Sequence, residues 1–265
     1  MSNTPTHYSP SCAQTLYKPH LADKLRPYLT TTQGEPLPLY ETCCQHKPPT
    51  PTSTSKNASA NSLLQPSQAP IQPPNPDANS IAPLLQFPDQ LSIINSQFSI
   101  ITTCPGCDRN INARYRNAES ITLWEILANS TTFPFPNYNG MQMTIHDSCP
   151  TRHKAEVTDA IRILLQRMNI KVIEPEQTKE HGICCGDSQY GKVPTGEVME
   201  YMQTRADQMP CENVVVYCVS CIKAMHIGGK KPRYLVDLLL SEETIPGDCD
   251  LETWHQQLDE FIAKH

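Results

Sequence analysis

Short apolar runs alternate along this chain with longer segments in which apolar residues recur every three or four positions. In the second half, three runs are typical of buried strands, namely 141–146, 171–174 and 214–217. Two segments have helical periodicity, namely 154–168 and about 197–208. Strands and helices that alternate in this way indicate parallel sheets with crossover helices. We therefore predict an α/β fold whose ligands gather at loops beyond the strand ends.

The first half repeats this order of elements. The apolar runs 98–104 and 213–218 each end in the first cysteine of a C-x2-C motif, and both are typical of buried strands. Further along, 123–127 parallels 235–239 in spacing and polarity. This agreement indicates a duplication. We predict two pseudo-symmetric repeats, each a small, mainly parallel sheet with flanking helices, and with a bound group held in loops at the strand ends.

One segment interrupts the correspondence between the halves. Residues 48–80 consist mainly of Pro, Ser, Thr, Asn and Gln, a composition that buries too little apolar surface to fold. We predict a disordered insertion in a first domain at 1–138, followed by a second domain at 139–265. A loop of this length is tolerable because closure entropy grows only logarithmically with length.

Composition excludes several classes of protein. The 265 residues carry a formal net charge of -6, and no region has the basic, aromatic-interleaved surface of a nucleic-acid-binding protein. The longest apolar stretches, such as 214–218 and 234–240, are too short to cross a bilayer. The amino terminus has neither the basic start nor the apolar segment of a secretory signal. We expect a cytoplasmic protein.

Ten of the twelve cysteines form two copies of one ordered pattern: a single cysteine, a vicinal pair and a C-x2-C. The first set is Cys12, Cys43, Cys44, Cys104 and Cys107, and the second set is Cys149, Cys184, Cys185, Cys218 and Cys221. Five thiolates exceed the four that a tetrahedral zinc or a cubane cluster takes from protein, so a larger, irregular cluster is indicated. Gly186 permits the tight turn from which a vicinal pair reaches such a cluster.

Disulfides and zinc are the alternative uses of these cysteines. Disulfides need an oxidising compartment, which the amino terminus does not indicate. Zinc is the stronger alternative, above all for the first set, because four of its five thiols can close a tetrahedron while the fifth is left spare. Cys211 and Cys249 fall outside both sets, and we interpret them as ordinary thiols.

The two cysteine sets resemble the cysteine-rich CCG domain of the disulfide-cleaving subunit of heterodisulfide reductase and of related succinate, glycerol-3-phosphate, lactate and glycolate oxidoreductase subunits. The resemblance covers nearly the whole chain except the insertion and the last helix. In heterodisulfide reductase, each five-cysteine motif holds a non-cubane 4Fe-4S cluster, and the two clusters face each other across the site of disulfide cleavage. The resemblance implies one cluster in each set here. Gln45 stands where the family has glycine, which leaves zinc open at the first site.

The resemblance implies an iron-sulfur oxidoreductase subunit that reduces a small-molecule disulfide or oxidises thiols. Protons must then reach the product thiolates, and His146, His153 and His226 are candidate catalytic residues because they stand near the cysteine loops. The alternative is a non-catalytic electron-transfer or docking subunit of a dehydrogenase complex, with one cluster and a structural zinc. Iron bridged by sulfide survives best without oxygen, so we expect an anaerobic or microaerophilic source.

Electrons must reach this chain from elsewhere. The sequence contains no glycine-rich dinucleotide fingerprint and no ferredoxin-type run of closely spaced cysteines. Flavin and ferredoxin-like iron-sulfur subunits are therefore the expected electron donors or acceptors, as the resemblance to heterodisulfide reductase complexes also implies.

Overall fold

The computed structural model describes residues 6–30, 35–39, 98–114, 118–247 and 250–264. Over these ranges the chain is an α/β structure with two small sheets flanked by helices, as predicted. Several features of the sequence lie outside the described residues, namely the insertion at 48–80, Cys43, Cys44, Gln45 and Cys249.

Seven strands form the two sheets in the described ranges. They are β1 (Thr6–Ser9), β2 (Phe98–Thr102), β3 (Ala118–Thr122), β4 (Met141–Ile145), β5 (Ile170–Val172), β6 (Asn213–Val216) and β7 (Lys231–Tyr234). The first sheet has the order β1-β2-β3 and the second has the order β5-β4-β6-β7. Neighbouring strands pair in parallel throughout both sheets. The predicted parallel pairing is thus confirmed.

Nine α-helices occur in the described parts of the chain. They are α1 (Cys12–Tyr17), α2 (Pro19–Leu25), α3 (Pro105–Arg114), α4 (Leu123–Ala128), α5 (Ala155–Arg167), α6 (Thr195–Asp207), α7 (Val219–Ile227), α8 (Leu235–Leu239) and α9 (Leu251–Lys264). The predicted helices at 154–168 and about 197–208 are present as α5 and α6. None of these helices has both the length and the apolar character that a membrane crossing requires.

The strand predicted at 171–174 differs most from its observed counterpart. β5 begins one residue earlier and ends at Val172, because only three of its residues pair with β4 at this edge of the sheet. The central strand β6 follows its apolar pattern closely. Val214, Val215 and Val216 are all completely buried, as expected for a parallel strand that is covered on both faces.

Elements from both sides of position 138 share one hydrophobic core. Helix α4 packs against α5, and α1 packs against α9. Polar contacts also join the two sides. The Lys18 Nζ donates to Asp237 Oδ2 at 2.8 Å, and Lys154 Nζ donates to Asp108 Oδ2 at 2.6 Å. Apolar packing and ion pairs therefore both connect the first half of the chain to the second.

Helix α9 is anchored through Trp254. Trp254 is 4% exposed, and its ring stacks on Tyr17 with ring centroids 5.0 Å apart. The Lys223 Nζ lies 3.7 Å from the centroid of the Trp254 ring. We expect Trp254→Ala to lower the free energy of unfolding by about 3–5 kcal/mol, because it empties a buried aromatic site. Urea denaturation measures this loss. Gln257→Ala, on the exposed side of α9, is the control, and an equal effect of both changes would contradict the anchoring role.

Candidate metal centre

A cavity of about 360 Å³ opens beyond the carboxyl ends of strands from both sheets. The segments that follow β1, β2, β4 and β6 supply much of its wall, as the parallel topology predicts. All eight motif cysteines that the structure describes line this cavity: Cys12, Cys104, Cys107, Cys149, Cys184, Cys185, Cys218 and Cys221. The fold therefore brings thiols of the two sets to one place.

The second set forms a continuous group of thiols. The Sγ atoms of Cys185 and Cys221 are 3.5 Å apart, and both side chains are buried. Side-chain hydrogen bonds also link Cys184 to Cys149 and to Cys185, and Cys221 to Cys218. These five sulfur donors compete for shared protons, and metal ions bound by thiolates would displace those protons.

The shared hydrogen bonds separate the pKa values of these thiols. The pKa of Cys184 is lowered because its sulfur accepts hydrogen bonds from Cys149 and Cys185. The pKa of Cys149 is raised by its bond to Cys184 and by burial, and the pKa values of Cys185 and Cys221 are raised in the same way. Among these thiols, Cys184 is thus the one whose pKa is shifted toward the thiolate form.

The vicinal pair depends on Gly186. This residue has φ +103°, and a Cβ there would lie 3.0 Å from the Met202 backbone nitrogen and from the Tyr201 Cβ. Any side chain would both strain the backbone and clash with α6. The tight turn inferred from the glycine after the pair is therefore present.

Each C-x2-C motif joins a strand to the first turn of a helix. Cys218 follows β6 and is the N-cap of α7, and the Cys221 N–H donates to the Cys218 carbonyl at 3.0 Å. In the first half, Cys104 follows β2, and Cys107 lies in the first turn of α3. The spacing places both thiols of each motif on the cavity side of a helix start.

The first set is described through Cys12, Cys104 and Cys107. The pKa of Cys104 is lowered to about 7, chiefly by a hydrogen bond from the Cys107 thiol and further by backbone N–H groups of the helix start. All three residues line the cavity. Since Cys43 and Cys44 are outside the described residues, the choice between an iron cluster and zinc at this set stays a prediction.

A buried ion pair braces the loop that carries Cys149. Arg162 donates from both terminal nitrogens to the two oxygens of Asp147, at 2.9 and 2.8 Å. Burial alone would raise the pKa of Asp147, but the hydrogen bonds and charge of Arg162 outweigh burial and hold this pKa below its usual range. The Tyr217 hydroxyl accepts from the Ser148 N–H at 2.8 Å. Arg162 and Tyr217 thus hold the two residues that precede Cys149.

A second polar group lies at the cavity, and its contacts were not predicted from sequence. Asp187 lines the cavity and accepts from Lys223 Nζ at 2.7 Å, and His255 Nε2 lies 3.1 Å from the same oxygen. The His255 ring stacks on Tyr190 with centroids 3.7 Å apart. The closeness of Asp187 to Cys185 in sequence is the one signal of this group, because Lys223 and His255 come from distant helices.

The three candidate catalytic histidines lie in different surroundings. His146 is 1% exposed and follows β4, and one of its ring nitrogens forms a compact group with the sulfurs of Cys185 and Cys221, all within 4.8 Å of one another. His153 and His226 are exposed, and none of the three histidines is among the described residues that line the cavity. The structure therefore brings His146, but not the other two, to the cysteines.

The donor set fits a thiolate-bound metal cluster. Thiolate sulfur is the ligand preferred by zinc and iron-sulfur clusters, and the five sulfurs of the second set are one more than a tetrahedral site uses. None of the nine described cysteines is part of a disulfide, so the sulfurs at these positions are available as ligands. Cys211, the described cysteine outside both sets, does not line the cavity.

No protein-family model, curated protein or solved structure matches this chain.

Proposed function

We propose that this chain is an iron-sulfur oxidoreductase subunit, resembling the disulfide-cleaving subunit of heterodisulfide reductase, that reduces a small disulfide or oxidises the corresponding thiols. The observation that carries this proposal is the convergence of the eight described motif cysteines on one cavity of about 360 Å³. A structural zinc site is closed and uses four ligands. This cavity offers more thiols than such a site and a volume typical of small-molecule sites, about 300–1,000 Å³.

We propose that each cysteine set holds one non-cubane 4Fe-4S cluster. The second set supports this most directly, because pairwise hydrogen bonds link its five thiols into one chain. The first set would use Cys12, Cys104 and Cys107 together with the undescribed pair Cys43 and Cys44. When bound, such clusters supply or accept electrons one at a time.

We also propose that the two halves are a duplication. The first sheet has the order β1-β2-β3, and β4-β6-β7 follow one another in the second sheet. Cys12 and Cys149 both lie after the first strand of these trios, and Cys104 and Cys218 both lie directly after the second. The additional strand β5 lies at the outer edge of the second sheet. This correspondence explains why thiols of both sets meet at one cavity.

The proposed reduction breaks one S–S bond, consumes two electrons and two protons, and releases two thiols. A flavin or ferredoxin-like iron-sulfur subunit supplies the electrons. The chain's own residues shape the site around the substrate. Leu258 and Ile262 of α9 form an apolar part of its wall, and Arg109 is the one cationic side chain among its described lining residues. Arg109 favours a substrate that carries negative charge.

Metal content and turnover test this proposal. We expect chain purified without oxygen to contain about eight iron and about eight sulfide per molecule, no zinc, and an EPR signal on reduction. With reduced viologen as electron donor and 2-hydroxyethyl disulfide as probe, thiol should form at twice the rate of disulfide loss. About four iron with one zinc and no turnover would favour the electron-transfer or docking subunit instead. Protein without iron would overturn both.

A further inference from the structure

His146 is a buried polar residue beside Cys185 and Cys221 of the second cysteine set. It follows β4, and its backbone N–H donates to the Val215 carbonyl at 3.0 Å, so the residue is fixed by the sheet. Its grouping with the Cys185 and Cys221 sulfurs within 4.8 Å has the donor types of a His-Cys-Cys metal site. The hydrogen bonding of its ring, however, argues against a role as a metal ligand.

The tautomer of His146 is set by Arg205. The Arg205 Nε lies 3.2 Å from the His146 Nδ1 and can only donate, because a guanidinium keeps its protons in proteins. Nδ1 must therefore accept, and the proton of the neutral ring sits on Nε2. If Nε2 were a metal ligand, the proton of the neutral ring would sit on Nδ1. It would then point at the Arg205 Nε–H, and two donors would face each other.

Arg205 cannot turn away from this contact without losing others. It is completely buried in α6, and its terminal nitrogens donate to the Gln208 side chain and to the Gln177 carbonyl, each at 2.8 Å. Three hydrogen bonds thus direct its Nε at the imidazole. The preferred tautomer of His146 is therefore set by the buried position of Arg205 in α6.

The His146 Nε2 is buried and has no hydrogen-bond partner among the residues that the structure describes. A buried N–H without an acceptor is costly, and the sulfurs of Cys185 and Cys221 are the soft acceptors beside this ring. We infer that His146 is not a metal ligand but would be the Nε2–H donor to sulfur when a cluster is bound at the second cysteine set, held in that tautomer by Arg205. The inference rests on the proposed function, because it requires a cluster there.

The expected consequence is a higher reduction potential for the second cluster. An N–H···S hydrogen bond withdraws charge from the ligand sulfur and stabilises the reduced state. His146 is then a positioning residue that tunes the metal centre without contacting substrate. In an EPR-monitored redox titration of the full chain, His146→Leu should keep its iron and shift the potential downward. His146→Gln retains an N–H donor and should recover part of that shift.

Wild-type protein provides a test that needs no variant. Pulsed EPR of the reduced second cluster should show a weakly coupled histidine nitrogen and an exchangeable proton, not a directly bound nitrogen. Arg205→Lys, which keeps the charge but releases Nδ1, should shift the potential in the same direction as His146→Leu. A directly bound nitrogen, or loss of iron in both His146→Leu and His146→Gln while both remain folded by circular dichroism, would overturn the inference in favour of ligation.

The failures of the two proposals can be distinguished. Wild-type protein that binds no iron overturns the proposed function, and the inference about His146 with it. Iron-loaded His146→Leu and Arg205→Lys variants whose potentials equal that of wild type overturn the inference alone and leave the proposed function standing.

Discussion

Cys184→Ser is expected to remove about half of the iron and to lower disulfide turnover at least about 100-fold. Cys184 is central to the second set, because its sulfur shares hydrogen bonds with Cys149 and Cys185 and lies 3.2 Å from the Ser188 hydroxyl. A serine oxygen is a harder and poorer ligand for iron in a cluster than a thiolate. Iron analysis, EPR and the viologen-coupled disulfide assay, all without oxygen, measure the effect.

Cys211→Ser is the matched control for this change. Cys211 is a partly buried thiol that precedes β6, and it is not among the residues that line the cavity. The same chemical substitution should therefore leave iron content and turnover unchanged. Normal iron in the Cys184 variant would contradict the assignment of the second set, and equal losses in both variants would point to a general effect of thiol removal on folding.

Arg162→Ala should lower the free energy of unfolding by about 3–5 kcal/mol, because it leaves the buried Asp147 charge without its cation. The Asp147 side chain is 1% exposed, and Arg162 also donates to Glu174 at 2.8 and 2.9 Å. Both oxygens of Asp147 lose a charged donor in this variant. Urea denaturation of the full chain under reducing conditions, with the linear slope compared between variants, measures the loss.

Two further variants define the origin of this loss. Arg162→Lys keeps the charge but not the planar, paired donation, so we expect an intermediate loss. Gln166→Ala, at an exposed position of the same helix α5, should change stability by less than about 0.5 kcal/mol. If Arg162→Ala were no more damaging than Gln166→Ala, the Asp147 contact would not contribute to the stability of the loop that carries Cys149.

Much of the fold follows from local patterns in the sequence. The apolar run around Val214 and Val216 leaves no polar face, which is characteristic of a parallel strand covered on both sides, and the observed β6 has this environment. The spacing of apolar residues was sufficient to predict where α5 lies in the sequence, because one face of this helix is buried. The end of β5 was less predictable, since pairing with β4 rather than composition determines it.

The cysteines that line the candidate site were predictable from sequence, but their surroundings were not. Cysteines at strand ends are recognisable because the C-x2-C spacing and Gly186 are local features with local consequences. Asp187 had only its closeness to Cys185 in sequence as a signal, and its contacts with Lys223 and His255 had none. Asp187 and His255 are separated by 68 positions and meet only because α9 packs beside the cavity.

The sequence by itself determined the classes of element, the parallel pairing and which cysteines belong to the two motifs, because these depend on periodicity and spacing over a few residues. Tertiary structure alone decided which donors meet and what surrounds them. Cys185 and Cys221 come within 3.5 Å across 36 positions, and Arg205 sets the tautomer of His146 across 59. Such contacts are products of packing between helices and sheets, whose relative placement no local pattern encodes.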